Sequence, residues 1–98
     1  MAIKYFRNSG TRDIAEGINS KSARRLLPVL LQKSAQRALF VIEHMTSLKE
    51  IAAFPGWRLE RLKGDRAGQY SIRINEQYRV CFGWDGTDAE EVEIVDYH

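Results

Sequence analysis

Apolar residues along this chain change period near Gly56, which divides it into a helical half and a strand-like half. Ile3 to Phe6 reads as a short strand, followed by a weak helical stretch around Asp13 to Gly17, with Gly17 as its C-terminal stop. Ser20 to Arg25 is polar and basic, and is expected to be a connector. From Pro28, suited to a first helical turn, Leu31, Ala35, Ala38, Ile42 and Met45 recur at helix spacing and predict one long helix. Ser47 and Glu50 match a capping box, which starts a second short helix through Ala53 before Pro55-Gly56 breaks it.

Beyond Gly56 the alternation predicts strands over Trp57–Leu62, Gln69–Ile74, Tyr78–Trp84 and Glu91–Asp96, joined closely enough for antiparallel hairpins. Tyr70, Ile72 and Ile74 share one face with Tyr78, Val80, Phe82 and Trp84, and that face should take the long helix. Ser71, Arg73, Arg79, Cys81 and Gly83 fall on the other, which is expected to be an open, concave platform. The resulting class is α+β, with an N-terminal strand and helices packed on one face of a C-terminal antiparallel sheet.

At 98 residues, the chain is expected to form one domain over residues 1–98. Its longest apolar run, Leu26–Leu31, is six residues and contains Pro28, far short of the roughly 20 needed to cross a bilayer. Met1 leads directly into Ile3-Lys4-Tyr5-Phe6 without a secretory pattern, and Cys81 is the single cysteine, so a reducing, cytoplasmic setting is expected. A net charge of +2 hides a strong polarity: residues 1–79 hold all 15 Lys and Arg with 7 of the 13 acids, giving +8 against −6 for the remainder. Cations also alternate with flat rings, in Trp57-Arg58, Arg61, Lys63, Arg66, Tyr70, Arg73 and Tyr78-Arg79. That composition suits a phosphate backbone with unstacked bases, and makes RNA the first partner to consider.

Cleaving RNA without a metal requires cations for the charge that develops on phosphorus and proton donors and acceptors near the reacting oxygens. Lys63, Arg66, Arg73 and Arg79 are candidate phosphate contacts, although each could instead pair with Asp65, Glu76 or Glu93. His98 follows the predicted strand Val92-Glu93-Ile94-Val95, so a sheet delivers its imidazole, and a reference pKa of about 6.5 suits it to general acid work near neutrality. Asp96 could hold that imidazole protonated, and Tyr97 could stack on a base, bond a phosphate or simply fill the sheet edge. One cysteine and two distant histidines show no metal-ligand spacing, and no cofactor fingerprint is present. His44, near the end of the long helix, complements the helix dipole and is not a site candidate.

Gly56-Trp57-Arg58-Leu59-Glu60, Leu62-Lys63-Gly64-Asp65-Arg66-Ala67-Gly68-Gln69-Tyr70-Ser71-Ile72-Arg73, Tyr78-Arg79-Val80-Cys81-Phe82 and Val92-Glu93-Ile94-Val95-Asp96-Tyr97-His98 together resemble HigB toxins of the RelE/ParE superfamily. The resemblance implies a RelE-like fold and the toxin of a type II toxin-antitoxin pair. It also implies an endoribonuclease that cuts mRNA on the ribosome, needs no metal, and is silenced by a helix-turn-helix, HigA-like antitoxin. Lys63, Arg79, Asp96, Tyr97 and His98 fall on positions implicated in the family's active site. Arg58, Arg61, Arg66, Arg73 and Tyr70 are added as RNA contacts from charge, ring and face. Glu60 stands where characterised HigB toxins have a histidine. A carboxylate could accept the 2′-hydroxyl proton but is a weaker base than imidazole unless burial strengthens it, and Glu60 could instead pair with Arg58 or Arg61. The superfamily also contains ParE-like gyrase poisons, so a non-catalytic inhibitor and a weakened toxin that retains only antitoxin binding are the alternatives.

Overall fold

The computed structural model describes residues 2–97, and His98, the expected general acid, lies outside the described residues. Helices α1 (Ser9–Ala15), α2 (Lys21–Leu26), α3 (Val29–His44) and α4 (Leu48–Ala52) precede strands β1 (Glu60–Arg61), β2 (Gln69–Arg73), β3 (Tyr78–Trp84) and β4 (Ala89–Asp96). Two 3-10 turns, Pro55–Trp57 and Gly64–Arg66, flank β1. The expected α+β class is therefore observed, with several local differences.

Asn8 starts α1 earlier than the apolar pattern suggested, because its side-chain oxygen accepts the Thr11 N–H at 2.9 Å. Gly17, at φ +75°, supplies the left-handed stop just beyond it. The expected connector Ser20–Arg25 is instead the cap and body of α2. Ser20 Oγ accepts the Ala23 N–H at 3.0 Å and donates to Asp13 Oδ2 at 2.6 Å, joining the start of α2 to α1. Helix α3 buries Ala35, Ala38 and Ile42 as its spacing predicted, and Leu39 in addition, whereas Leu31 is only half-buried. The capping box at α4 is also present: Glu50 Oε2 accepts from Thr46 N–H and hydroxyl and from Ser47 N–H, and these bonds hold its carboxyl below the usual range.

The sheet runs β1-β2-β3-β4, antiparallel throughout. Ile72, Val80 and Ile94 lie side by side across three strands, all fully buried, with Phe82 beside them, and they join Leu39 and Ile42 of α3 in the hydrophobic core. One extra residue in β4 breaks its alternation. Between Cys81 and Gly83 of β3, the partner strand advances from Glu93 to Glu90, and Glu91 takes φ +48°. The bulge lets Ala89 and Val92, three residues apart, both enter the core.

The strand expected over Ile3–Phe6 does not form: the segment's backbone meets β4 through two isolated parallel bridges, Ile3 with Ala89 and Phe6 with Val92, on either side of the bulge. Further along that edge, buried Thr11 accepts the Ile94 N–H at 3.1 Å through its hydroxyl, so the edge of β4 is covered. The opposite edge is shorter than expected: of Trp57–Leu62, only Glu60 and Arg61 pair as a strand. Pro55-Gly56-Trp57 coils into a 3-10 turn, and Arg58 sits at φ +46°, a left-handed conformation incompatible with extended pairing.

Gly10 carries the α1–α2 contact, because a Cβ there would lie 2.9 Å from the Ser22 carbonyl oxygen and 3.2 Å from Leu26 Cδ2. Gly10→Ala should therefore destabilise the fold by about 1–3 kcal/mol in urea denaturation. Gly56→Ala, where a Cβ meets nothing within 4 Å, should change stability by no more than about 0.5 kcal/mol.

Candidate active site on the polar sheet face

Register alone assembles the polar face. Glu60, Ser71, Cys81 and Glu93 form one row across the four strands, and Arg73, Arg79 and Val95 form the next. The expected open platform is not what results at its centre, because Ser71 and Cys81 are wholly buried. Burial pushes the Cys81 thiol up, only partly opposed by the nearby Arg66 and Arg79 guanidinium groups, so the thiol stays protonated.

Arg79 is held from three directions. Its Nη1 donates to Ser71 Oγ at 3.1 Å, the same nitrogen lies 3.3 Å from Glu60 Oε1, and the guanidinium carbon sits 4.5 Å from the centre of the Tyr97 ring. The Arg79 side chain is 16% exposed, whereas that of Glu60 is 49% exposed. Strand β4 thus brings Tyr97 to Arg79 from the sequence end and β1 brings Glu60 from the sheet edge. Arg73, directly across from Arg79, is drawn away from it: its Nε donates to the Asn75 carbonyl at 3.2 Å and its Nη2 lies 3.7 Å from Glu76 Oε1.

Arg66 has a different task from the one expected of it. Its Nη2 lies 2.9 Å from Oε1 of the buried Glu93, close but without a well-aligned hydrogen bond, and its Nη1 donates to Gln69 Oε1 at 3.0 Å. Burial would lower the Arg66 guanidinium, yet contact with Glu93 leaves it raised overall. Arg7 adds a second cation, Nε standing 3.8 Å from Glu93 Oε2.

Lys63 is exposed immediately before the Gly64–Arg66 turn, and Arg58 and Arg61 are exposed around β1. Tyr70 is not brought to the site: it pairs with Arg61 and Phe82 on the core side, its ring centre 6.1 Å from that of Phe82. Asp96 also faces away from Arg79, opposite Tyr78, and accepts from Gln77 Nε2 at 3.1 Å. Sequence reasoning did not single out Ser71 or Arg7. Ser71 could have been found as the small hydroxyl beside Arg79 once register was known, whereas Arg7 comes from the far end of the chain without a local signal. Among the described residues, no group of three or more His, Cys, Asp or Glu side chains is placed to hold a metal ion, and no helix is long and apolar enough to cross a membrane.

Residues 5–98 match the family described as RelE-like toxin of type II toxin-antitoxin system HigB, and the chain belongs to that family. It is also 35% identical over 60 residues to Toxin HigB-1 of Vibrio cholerae serotype O1 (strain ATCC 39315 / El Tor Inaba N16961). The matched stretch covers 61% of this chain and 63% of that protein, less than two thirds of the relative's length.

The Arg66–Glu93 pair gives a stability test. Arg66→Met leaves a largely buried carboxylate with, among the described residues, the more distant Arg7, and should cost about 1–3 kcal/mol in urea denaturation, below the full cost of breaking a buried pair because Arg66 is part exposed. Arg58→Ala, an exposed position, should stay within about 0.5 kcal/mol.

Proposed function

We propose that this toxin is an endoribonuclease that cuts mRNA on the ribosome, using the polar sheet face and the end of β4. The observation that carries the reading is the Arg79 guanidinium, held by the Ser71 hydroxyl and by the ring of Tyr97 just beyond β4. A pre-positioned cation at this place is what a pentavalent phosphorane-like transition state requires.

In this mechanism the ribose 2′-oxygen attacks the adjacent phosphorus, and its proton passes to Glu60. The bond from phosphorus to the 5′-oxygen breaks, and His98 donates the proton that the leaving oxygen takes up. Products are a 2′,3′-cyclic phosphate and a 5′-hydroxyl. Arg79 and Lys63 stabilise the charge on the phosphate oxygens and the Tyr97 ring supports the guanidinium, whereas Asp96, turned away from Arg79 toward Gln77, is not at the phosphate. Arg58 and Arg73 are further contacts for the RNA backbone, whereas Arg61, paired with Tyr70, falls on the opposite side of the sheet from Glu60 and Arg79. Arg66 serves the same surface indirectly, by covering Glu93. A helix-turn-helix antitoxin silences the activity, and the protein works in the cytoplasm on ribosomes engaged with mRNA.

His98→Ala should slow single-turnover cleavage on saturating ribosomes by about 10²- to 10⁴-fold while leaving the melting transition in place. An unchanged rate removes His98 from the mechanism. Cleavage should also persist after divalent ions are chelated on ribosomes shown to remain assembled, and end-group analysis should find cyclic phosphate and 5′-hydroxyl termini. A 5′-phosphate would point to an activated water, and intact mRNA in the presence of arrested growth would point to a contact inhibitor of the ParE-like kind.

A further inference from the structure

Two ion pairs cross the polar face, and they differ in the property that decides whether a pair can open. Glu93 is 11% exposed and has two cations within 4 Å, so separating it from Arg66 would strand a buried charge. Glu60 is 49% exposed, so water can solvate its carboxylate as soon as it leaves Arg79. Arg79, by contrast, has two further contacts that do not involve Glu60, the Ser71 hydroxyl and the Tyr97 ring, and its side chain is 16% exposed. The better-held partner is the cation and the more exposed partner is the anion.

The position of Glu60 adds to this. It sits on a strand of two residues at the sheet edge, with Arg58 in a left-handed conformation on one side and the Gly64–Arg66 turn on the other. Its row partner is Ser71, the residue that anchors Arg79, so its carboxylate reaches diagonally onto the guanidinium. A carboxylate and a phosphate present the same charge and similar acceptor geometry to an arginine.

We propose that Glu60 is an internal phosphate mimic: in the free protein it occupies the anion site on Arg79, and the phosphodiester of a single-stranded RNA displaces it. This deepens the reading above and rests on it for the identity of the anion, since it makes Arg79 the seat of the scissile phosphate. The displaced carboxylate stays beside that phosphate, where the reading above has it accept the 2′-hydroxyl proton. Binding and proton acceptance are thereby ordered, because the base is released by the substrate it acts on. Glu60 opposes binding and favours the chemical step, so its removal has opposite effects on the two.

The test measures binding alone, by fluorescence anisotropy at low ionic strength with a short single-stranded RNA carrying 2′-O-methyl groups, which has no nucleophile and cannot be cut. Glu60→Gln should tighten binding roughly two- to fivefold, the scale of a half-exposed ion pair. The same substitution in an Arg79→Gln background should produce no gain, because the site that Glu60 occupies is gone. Unchanged or weaker binding by Glu60→Gln overturns the proposal, as does an equal gain in both backgrounds, which would reflect only the loss of one negative charge. If Arg79→Gln does not fold, Arg79→Lys replaces it: a smaller gain supports the proposal and an undiminished one overturns it. None of these readings depends on cleavage. A protein that shows the gain yet leaves mRNA intact on ribosomes keeps the phosphate mimic and loses the nuclease assignment, and the reverse result separates them the other way.

Discussion

Burying the Glu93 carboxylate within the polar sheet face costs several kcal/mol of desolvation unless cations accompany it, and much of the surrounding structure supplies them. Arg66 reaches it from the turn between β1 and β2, and Arg7 reaches it from the segment that runs along β4. Two parts of the chain about sixty residues apart are therefore tied to the same carboxylate. With Glu93 covered, the neighbouring Ser71 and Cys81 are sealed from water, and the buried Ser71 hydroxyl is left with a partner in Arg79. Arg79 is thus oriented by a buried hydroxyl that shares a row with the buried carboxylate.

The bulge in β4 lets one strand meet two demands. A regular strand would turn its faces over once the segment around Ala89 had been fitted to the core. The extra residue at Glu91 restores Val92 and Ile94 to the core side and puts Glu93, Val95 and Tyr97 on the polar side. The same irregularity divides the contact with the N-terminal segment into two bridges. Closure of that edge then falls partly to the Thr11 hydroxyl, which is why a polar side chain is fully buried in α1.

Features set by neighbouring residues were legible in the sequence, and features set by distant ones were not. The alternation of Tyr78–Trp84 gave both faces of β3, the spacing from Pro28 gave α3, and Ser47 with Glu50 gave the start of α4. Helix α2 was hidden because half of its residues are charged, and its only buried residue, Ala23, gains its environment from packing beside α1. The shortening of β1 depends on Arg58 adopting a left-handed conformation, which an arginine does not announce. At the site, the sequence offered Glu93 as one possible partner for the cations, and the structure selects Arg66 for it. It offered Arg58 or Arg61 as partners for Glu60, whereas the sheet register brings Arg79, nineteen residues away, to that carboxylate. Tyr70 was counted among the RNA contacts for its ring, although its own alternation had already placed it with Phe82 on the core side.

The remaining question is why one protein face should use the same carboxylate–guanidinium chemistry twice. A pair inside the face fixes geometry, since neither member can leave without the other losing its compensation. A pair at the rim contributes little stability but sets the charge that an incoming anion meets. Placed together, they let the face be rigid where a cation must be aimed and yielding where a substrate must enter. A histidine in place of Glu60 could not screen Arg79 in this way, because a neutral or cationic ring has no negative charge to offer. Under the proposal above, Glu60 sets how strongly the site resists anions and also accepts the proton, so the two effects belong to one side chain.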